Sequence, residues 1–221
     1  MSTLYIVATP IGNLEDMTMR AVRILKEVAI VFCEDTRTSR VLFSKYDIRT
    51  PSESFHAQSS EAKTDHIIDL LAQGRDLALV TDAGTPGISD PGMLLVSEVR
   101  ARSPQTNVVA VPGASALTAA ISIAGKPLHE FVFLGFLPHK KGRQTLFEEM
   151  KTGERPYVFY ESPHRIEKTL ESLKGIPKTV TILREITKMH ESYVSGTAEE
   201  VLMSFKNNPG TLRGEFVVIV S

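Results

Sequence analysis

The sequence predicts an α/β protein made of two α/β domains with mostly parallel or mixed sheets. Short apolar runs alternate along the chain with segments whose apolar residues recur at helical spacing. The runs are continuously apolar, which is typical of strands buried on both faces of a sheet. Strands that alternate with helices indicate parallel strands covered by their connecting helices.

The order of elements follows from these runs. Strands are predicted at residues 4–8, 29–33, 77–81 and 108–111, and then at 131–135, 157–160, 179–183 and 216–220. Helices are predicted at residues 17–27, 61–73, 93–102, 114–124, 144–151, 166–173 and 198–206. Thr197 and Glu200 have the spacing of a capping box, and Ser162 before Pro163 is typical of a helix N-cap followed by proline at the first helical position.

A predicted domain boundary lies at Gly125, Lys126 and Pro127, where the alternation is interrupted. About four strand–helix units precede this point, and the spacing of strands changes after it. We therefore expect an N-terminal domain at residues 1–127 and a C-terminal domain at 128–221, with a cleft between them.

Composition narrows the class of protein. Hydrophobic residues make up 42% and charged residues 23% of the 221 residues, which is typical of a soluble globular protein. A single cysteine, Cys33, excludes an intramolecular disulfide, and with no signal-peptide pattern at the start we expect a cytoplasmic protein. The formal charge of −1 argues against a strongly basic nucleic-acid-binding surface but allows a local basic patch. The best candidate is the run at residues 139–143, for which ordinary solvated surface is the alternative.

Two loops rich in glycine and proline follow predicted strands. Residues 79–92 read LVTDAGTPGISDPG, and residues 9–13 read TPIGN. Open α/β sheets bind ligands at the carboxyl ends of their strands. Glycine lets the backbone approach a ligand closely, and proline keeps that backbone rigid. The pair therefore predicts one small-molecule site, although each loop alone could be a tight turn.

Several common sites are excluded. The first strand is not followed by G-x-G-x-x-G, and Gly87 and Gly92 lack the Lys and Ser/Thr of a phosphate-binding P-loop. The six histidines do not form an H-E-x-x-H motif, a lone cysteine cannot build a thiolate zinc site, and there is no G-x-S-x-G elbow. What remains is three clusters of mixed charge after apolar runs, at residues 33–37, 160–165 and 184–191. Each alone could be ion pairs that tie loops together, but the three together indicate a cleft rimmed with charge.

These motifs resemble one known family. The matching segments are TPIGNLED at 9–16, CEDTR at 33–37, TDAGTPGISDPG at 81–92, VPGASA at 111–116, FLGFLP at 133–138, FYESPHR at 159–165, REITKMHE at 184–191 and GEFVV at 214–218. In this order they are similar to the tetrapyrrole-methylase-like, or class III, S-adenosylmethionine-dependent methyltransferases. Within that family, CEDTR, FYESPHR and REITK resemble the subgroup that methylates the ribose 2′-oxygen of a cytidine in the decoding centre of 16S ribosomal RNA.

The resemblance implies a homodimer and a methyl donor, S-adenosylmethionine, bound between two domains. The donor-binding positions of the family correspond here to Pro10, Ile11, Gly84, Thr85, Ile88, Ser115 and Ala116, and in the second domain to Phe159, Tyr160 and Leu183. The expected partner is 16S ribosomal RNA in the 30S subunit. No metal is expected, because the sulfonium leaving group departs as a neutral sulfur.

Methyl transfer to a hydroxyl is helped by a base, and the sequence does not choose among its candidates. These are Glu34, Asp35, Glu161, Glu185 and His190. The expected RNA-contacting or loop-holding side chains are Arg37, Lys140, Lys141, Arg143, Arg165, Arg184 and Lys188. The alternatives are a methyltransferase of the same fold that acts on a small, tetrapyrrole-like molecule, and a donor-binding module without catalysis.

Overall fold

Two α/β units make up the protein, one ending at Ser115 and the other spanning Ala116–Ser221. The computed structural model describes residues 2–56, 59–88 and 92–221. The predicted fold class is confirmed, with two five-stranded sheets, the first parallel and the second mixed. None of the helices in these described ranges is long and apolar enough to cross a membrane.

The first unit contains a wholly parallel sheet. Its strands are β1 (Thr3–Val7), β2 (Ile30–Cys33), β3 (Ser52–Ser54), β4 (Leu77–Val80) and β5 (Asn107–Val111), in the order β3-β2-β4-β1-β5. Its helices are α1 (Met19–Glu27), α2 (Thr36–Lys45), α3 (Glu61–Ala72) and α4 (Gly92–Arg102). Side chains of α1 and α2 fill the core on one face, and side chains of α3 and α4 fill it on the other. Both faces are therefore buried, as the continuous apolar runs predict.

The second unit contains a mixed sheet. Its strands are β6 (Val132–Phe136), β7 (Tyr157–Glu161), β8 (Val180–Arg184), β9 (Ser192–Gly196) and β10 (Phe216–Val220), in the order β6-β7-β10-β8-β9. β6 and β7 are parallel, and the other neighbours are antiparallel. Its helices are α5 (Ala116–Ile123), α6 (Arg143–Thr152), α7 (Ile166–Leu173) and α8 (Ala198–Asn207). The last three supply apolar side chains to one core, and α5 packs against β10.

Some elements differ from the sequence prediction. Helix α2 and strands β3 and β9 were not predicted, because their sequences are rich in polar residues. Both strands lie at the edges of their sheets, and β3 has only three residues. Helix α5 belongs to the second unit, so the division falls before α5, whereas the sequence placed the boundary at 127/128. The capping box at Thr197 and Glu200 is confirmed. The predicted N-cap at Ser162 is wrong, because α7 begins at Ile166 with Arg165 as its N-cap. The Ser162 carbonyl accepts from the amides of Arg165 and Ile166 in a turn that precedes the helix.

Candidate functional site

The carboxyl ends of β2 and β4 form a topological switch point in the first unit. The connection after β2 leads outward to the edge strand β3, whereas the connection after β4 leads past β1 to β5. The chain therefore leaves these neighbouring strands in opposite directions, which opens a crevice at their carboxyl ends. Ligands of open α/β sheets bind at such a point.

The two glycine–proline loops are joined beside this crevice. Thr9 and Gly84 form an isolated antiparallel bridge, in which each amide donates to the other's carbonyl at 3.0 Å. The Thr9 hydroxyl donates to the Thr81 carbonyl at 3.1 Å, and the Thr85 hydroxyl donates to the Ala114 carbonyl at 3.1 Å. The loops that follow β1, β4 and β5 are thus one connected backbone layer.

Gly84 is required by this layer for two reasons. Its φ of +83° lies in the left-handed region, where side chains are strained. A Cβ atom there would also lie 3.3 Å from Cγ2 of Ile11. The two loops therefore pack so closely at position 84 that a side chain there would be strained, as the glycine content of the loops predicts.

A buried hydroxyl lies at the same place. Oγ1 of Thr81 has no hydrogen-bond partner among the described residues, and Thr81 is only 4% exposed. Buried polar groups in folded proteins are nearly always paired, so such a hydroxyl is a natural contact for a ligand or an ordered water.

The predicted donor-binding residues of the first unit lie in this layer or near it. Pro10, Ile11 and Gly84 are buried, Thr85 and Ser115 are half-buried, and Ile88 is exposed. Residues 89–91 of the TDAGTPGISDPG motif lie outside the described residues.

The donor-binding candidates of the second unit have different surroundings. Ala116 is the first residue of α5, and Phe159 is fully buried in the core beneath α6, α7 and α8. Tyr160 and Leu183 lie in one row across the sheet, since both pair with Val217 of β10. The Tyr160 ring also contacts the rings of Phe133 and Phe136 edge-on.

An acidic cluster connects the loops that follow β2 and β4 at the switch point. The Asp35 amide donates to Oδ1 of Asp82 at 3.1 Å, and the Asp82 amide donates to Oε2 of Glu34 at 3.4 Å. Asp35 is also the N-cap of α2, because its carboxylate accepts from the Arg37 amide. Two sequence-predicted carboxylates, Glu34 and Asp35, are therefore brought together with Asp82, which the sequence analysis did not select. The signal that could have found Asp82 is its position directly after β4 in the motif TDAG.

The cluster's carboxylates differ in proton affinity. Hydrogen bonds from the Arg37 side chain and amide lower the pKa of Asp35 to about 2. Asp82 is exposed, but partial loss of hydration and the negative charge of Asp35 raise its pKa above the ordinary value, against the opposing effects of the Asp35 amide and Arg37. Two nearby carboxylates with pKa values shifted apart are typical of acid–base sites. Burial also raises the pKa of the Cys33 thiol to about 11, so it is not a thiolate at neutral pH.

The other two charged clusters lie at the carboxyl ends of β7 and β8 in the second sheet, on either side of β10. Glu161 ends β7 and Arg184 ends β8, and both pair in register with Phe216. The loop at 137–142 follows β6, which is parallel to β7, so it also starts at the carboxyl ends of these strands. Within this unit, the two clusters therefore begin at the carboxyl ends of strands that run in the same direction. That all three clusters line one cleft stays a prediction.

Glu161 is the centre of a buried ion-pair network. Its side chain is fully buried and lies 3.1 Å from Nε of Arg165 and 3.4 Å from a guanidinium nitrogen of Arg143. The Thr169 hydroxyl and the Ser162 amide also donate to it, at 2.6 and 2.9 Å. Both arginines extend to the loop after β6: Arg165 donates to the Leu137 carbonyl at 2.5 Å and Arg143 donates to the Pro138 carbonyl at 3.4 Å. Glu161, Arg143 and Arg165 thus hold this loop to β7 and α7, while Lys140 and Lys141 on the loop are exposed.

Glu185 and Lys188 form a second ion pair in the loop that follows β8. The Lys188 ammonium lies 2.9 Å from Glu185 and 2.8 Å from Glu215. Burial alone raises the pKa of Glu185, but the Lys188 hydrogen bond and the Glu215 amide outweigh it, so the net pKa is lowered. Gly214 packs against this carboxylate, since a Cβ atom there would lie 2.5 Å from its Cδ.

The same loop is strained. Glu185 and Thr187 have φ values of +53° and +68°, which are rare for residues with side chains, and Thr187 is β-branched. The Arg184 guanidinium holds the loop by donating to the carbonyls of Arg213 and His190 at 2.6 and 2.9 Å, while the His190 side chain is exposed. Within the described ranges, no group of three His, Cys, Asp or Glu side chains is placed to hold a metal ion.

The comparisons with known proteins agree with this architecture. The family model of the tetrapyrrole (corrin/porphyrin) methylases matches residues 3–202. The methyltransferase CobJ superposes with a TM-score of 0.71 at 18% identity, covering 100% of this chain and 94% of that one. Uroporphyrin-III C-methyltransferase from Thermus thermophilus, in complex with S-adenosyl homocysteine, gives 0.65 at 18% identity, covering 99% and 97%.

Two curated relatives are much more similar in sequence. Both bear the name ribosomal RNA small subunit methyltransferase I. The protein from Thermotoga maritima is 42% identical over 100% of this chain and 99% of its own length. The protein from Halalkalibacterium halodurans is 45% identical over 99% of this chain and 75% of its own length.

Fold and family model define the same class of protein, a methyltransferase with two α/β units. The chain belongs to the tetrapyrrole methylase family. The resemblance stated from the sequence motifs is thereby confirmed.

Replacing Glu161 with Gln is expected to destabilise the protein by about 3 kcal/mol, because it removes one partner of a buried ion pair and leaves two arginines without their counter-charge. Urea unfolding measures the effect. The matched control is Glu27→Gln, which breaks an exposed pair with Arg23 and is expected to change stability by less than about 0.5 kcal/mol. Equal stability of both variants would contradict the role assigned to Glu161.

Proposed function

We propose that this protein methylates the ribose 2′-oxygen of a cytidine in 16S ribosomal RNA of the small ribosomal subunit, with S-adenosylmethionine as donor. The observation that carries the proposal is the switch-point site, where a rigid glycine–proline layer meets an acidic cluster. Relatives with 42–45% identity, named as small-subunit ribosomal RNA methyltransferases, support the substrate class.

The residues of the first unit fit the donor. S-adenosylmethionine supplies a methyl group on a positively charged sulfur. Carboxylates at Glu34, Asp35 and Asp82 complement that charge. Oγ1 of Thr81 offers an unpaired buried hydroxyl in the described structure, and Gly84 brings backbone donors and acceptors close together. The proposed donor contacts are completed by residues of the loops after β1, β4 and β5, which are Pro10, Ile11, Thr85, Ile88 and Ser115. The candidates of the second unit stay predicted contacts: Ala116, Phe159, Tyr160 and Leu183.

Positioning is the main contribution proposed for the protein. A direct transfer needs the ribose oxygen, the methyl carbon and the sulfur in line, and well-aligned proximity can contribute about 7–11 kcal/mol. The bridged loops of residues 9–13 and 81–88 suit this role, because a fixed backbone loses little entropy when it orders a ligand.

A carboxylate at the switch point is the proposed base. Among the sequence candidates, Glu161 is fully buried in ion pairs, and Glu185 is paired with Lys188. Asp35 has a pKa of about 2 and is a weak proton acceptor. Asp82 has a raised pKa and is therefore a better acceptor than Asp35 for the proton of the ribose hydroxyl. Glu34 and His190 stay predicted candidates.

The RNA contacts proposed for the second unit are the exposed Lys140 and Lys141 on the loop held by Glu161. Arg143 and Arg165 act there as positioning residues, because their guanidinium groups bond to Glu161 and to the loop carbonyls. Arg37 and Lys188 are exposed or half-exposed and complete the proposed phosphate contacts.

Transfer of labelled methyl groups to small subunits tests the function. Purified protein and labelled S-adenosylmethionine are incubated with undermodified 30S subunits, and the label is mapped on the RNA. We expect the label on a cytidine ribose. Label on an added tetrapyrrole and none on RNA would support a small-molecule enzyme instead, and donor binding without transfer to either would indicate a binding module.

Gly84→Ala is expected to weaken donor binding by about tenfold or more, since the new methyl group lies 3.3 Å from Ile11 and disturbs the loop layer. Calorimetry with S-adenosyl homocysteine measures the affinity. Gly74→Ala is the matched control: Gly74 has nearly the same φ, +82°, with nothing within 4 Å of the new methyl group. Equal affinities in the two folded variants would remove Gly84 from the donor site.

Asp82→Asn is expected to lower kcat/KM by about 10²–10⁴-fold, because asparagine keeps an acceptor for the Asp35 amide but does not take up a proton. The base works deprotonated, so wild-type activity falls as the pH drops through the pKa of Asp82. That pKa is raised, so the acidic limb of the pH–rate profile lies above the ordinary aspartate value of about 3.9. An unchanged limb in the residual activity of Asp82→Asn would assign Asp82 a structural role only.

We also propose a homodimer that is needed for methyl transfer. The second unit exposes two aromatic residues, Phe136 at 54% and Tyr193 at 51%, and aromatic residues are enriched at protein interfaces. Twofold dimers are the commonest closed oligomers and double the surface available to a large RNA. Light scattering should give twice the chain mass, and activity should fall on dilution. A monomer with full activity on subunits would contradict this proposal.

A further inference from the structure

A groove of about 390 Å³ lies on the first unit, between α2 and the segment at 48–52. Phe43 and Ile48, both buried, form its apolar floor. Hydroxyl groups line its sides, from Thr36 and Ser44 on α2 and from Thr50 and Ser52 opposite. The sequence analysis did not select any of these residues.

The walls of the groove are held by backbone and hydroxyl bonds. The Ile48 amide donates to the Phe43 carbonyl at 2.9 Å, and the Val31 amide donates to the Pro51 carbonyl at 2.9 Å. The Thr50 hydroxyl donates to the Leu25 carbonyl at 2.6 Å. The groove is therefore formed before any ligand binds, which lowers the entropic cost of binding.

The groove is positively charged. Arg40 and Arg49 are its charged side chains, and none of the residues that line it, all of them described, is acidic. Arg40 has no ion-pair partner among the described residues, whereas Arg49 pairs with Asp47. That pair is highly exposed, with 86% and 71% of the side chains accessible, so it leaves Arg49 able to bind another anion.

The segment that forms the groove is basic as well, between Glu34 and Asp35 on one side and Glu53 on the other. Residues 36–52 contain Arg37, Arg40, Lys45 and Arg49 but only one acidic residue, Asp47, in a chain with a formal charge of −1. α2 itself contains no Asp or Glu. A local excess of positive charge on a neutral protein is typical of a surface that binds nucleic acid.

We propose that this groove binds the phosphate backbone of the RNA substrate, with Arg40 and Arg49 as its phosphate ligands. This inference rests on the proposed function. Guanidinium and hydroxyl groups are the side chains that contact phosphate oxygens, and such contacts position RNA without reading its sequence. Thr36 directly follows Asp35, so RNA in the groove lies beside the acidic cluster of the switch point.

The test compares two double variants with the same loss of charge. Arg40→Ala/Arg49→Ala removes the groove cations, and Arg75→Ala/Arg100→Ala removes two exposed arginines of the same unit outside the groove. Binding to undermodified 30S subunits and to a short single-stranded RNA is measured over a series of salt concentrations. We expect the groove variant to bind about tenfold more weakly, and the slope of log K against log salt to fall by about 1.4–1.8 for two lost phosphate contacts. The control variant should keep the wild-type slope, and both should bind S-adenosyl homocysteine as the wild type does.

The outcomes separate this proposal from the proposed function. If the wild type methylates 30S subunits and the groove variant binds RNA with unchanged affinity and slope, the groove proposal is overturned and the function stands. An equal loss in the control variant also overturns it, because the effect is then one of net charge. If the wild type does not act on 30S subunits, the function fails, and the groove is judged on the short RNA: a loss confined to the groove variant supports it, and equal binding overturns it. Binding of inorganic phosphate that depends on Arg40 and Arg49, with RNA binding unaffected, identifies a free-anion site and overturns the RNA proposal.

Discussion

The backbone bridge between Thr9 and Gly84 is the constraint on which the first unit's site depends. β1 and β4 are neighbours in the sheet, and their loops would diverge after the strands end, since their connections lead to opposite sides. Two amide–carbonyl bonds at 3.0 Å continue the pairing one step beyond the sheet. This step requires the positive φ of Gly84, and Ile11 and the Ala114 carbonyl lie close beside it. The loops therefore behave as an extension of the rigid sheet, which is what a site for precise alignment needs.

In the second unit, a strand-end loop is held in place by ion pairs and side-chain hydrogen bonds, and not by backbone pairing. The loop after β6 is held by side chains, since Arg143 and Arg165 bond to its carbonyls from α6 and the start of α7. The side chains of Arg143 and Arg165 are only 11% and 17% exposed, and Glu161 supplies their counter-charge at the end of β7. This explains why FYESPHR is rich in charge although most of its charged groups face inward. It also separates exposed cations, such as Lys140, from structural ones within one short basic run.

The sequence predicts those structural features that restrict the residue type at single positions, and it does not show features that depend on contacts between residues distant in sequence. The apolar strands and the glycine–proline loops were predictable, because burial on two faces and positive φ restrict residue type at single positions. Helix α2 was not, because TRTSRVLFSK has only a narrow apolar stripe at Leu42 and Phe43 and begins inside a charged motif. Asp82 was passed over because its raised pKa comes from partial loss of hydration and from Asp35, which is distant in sequence. The inward direction of Arg143 was likewise hidden, since spacing along the chain does not show where a long side chain points.

The formal net charge does not show that this protein has separate acidic and basic regions. On the proposed function, the chain handles a cationic donor and a polyanionic substrate, and a uniform surface of either sign would repel one of them. The described structure separates the signs over a few residues: Glu34, Asp35 and Asp82 lie at the switch point, and Arg40 and Arg49 line the groove that begins at Thr36. Arg37 lies between the two sets and forms an ion pair with Asp35 at 2.6 Å. A formal charge near zero is therefore compatible with tight binding of both ligands.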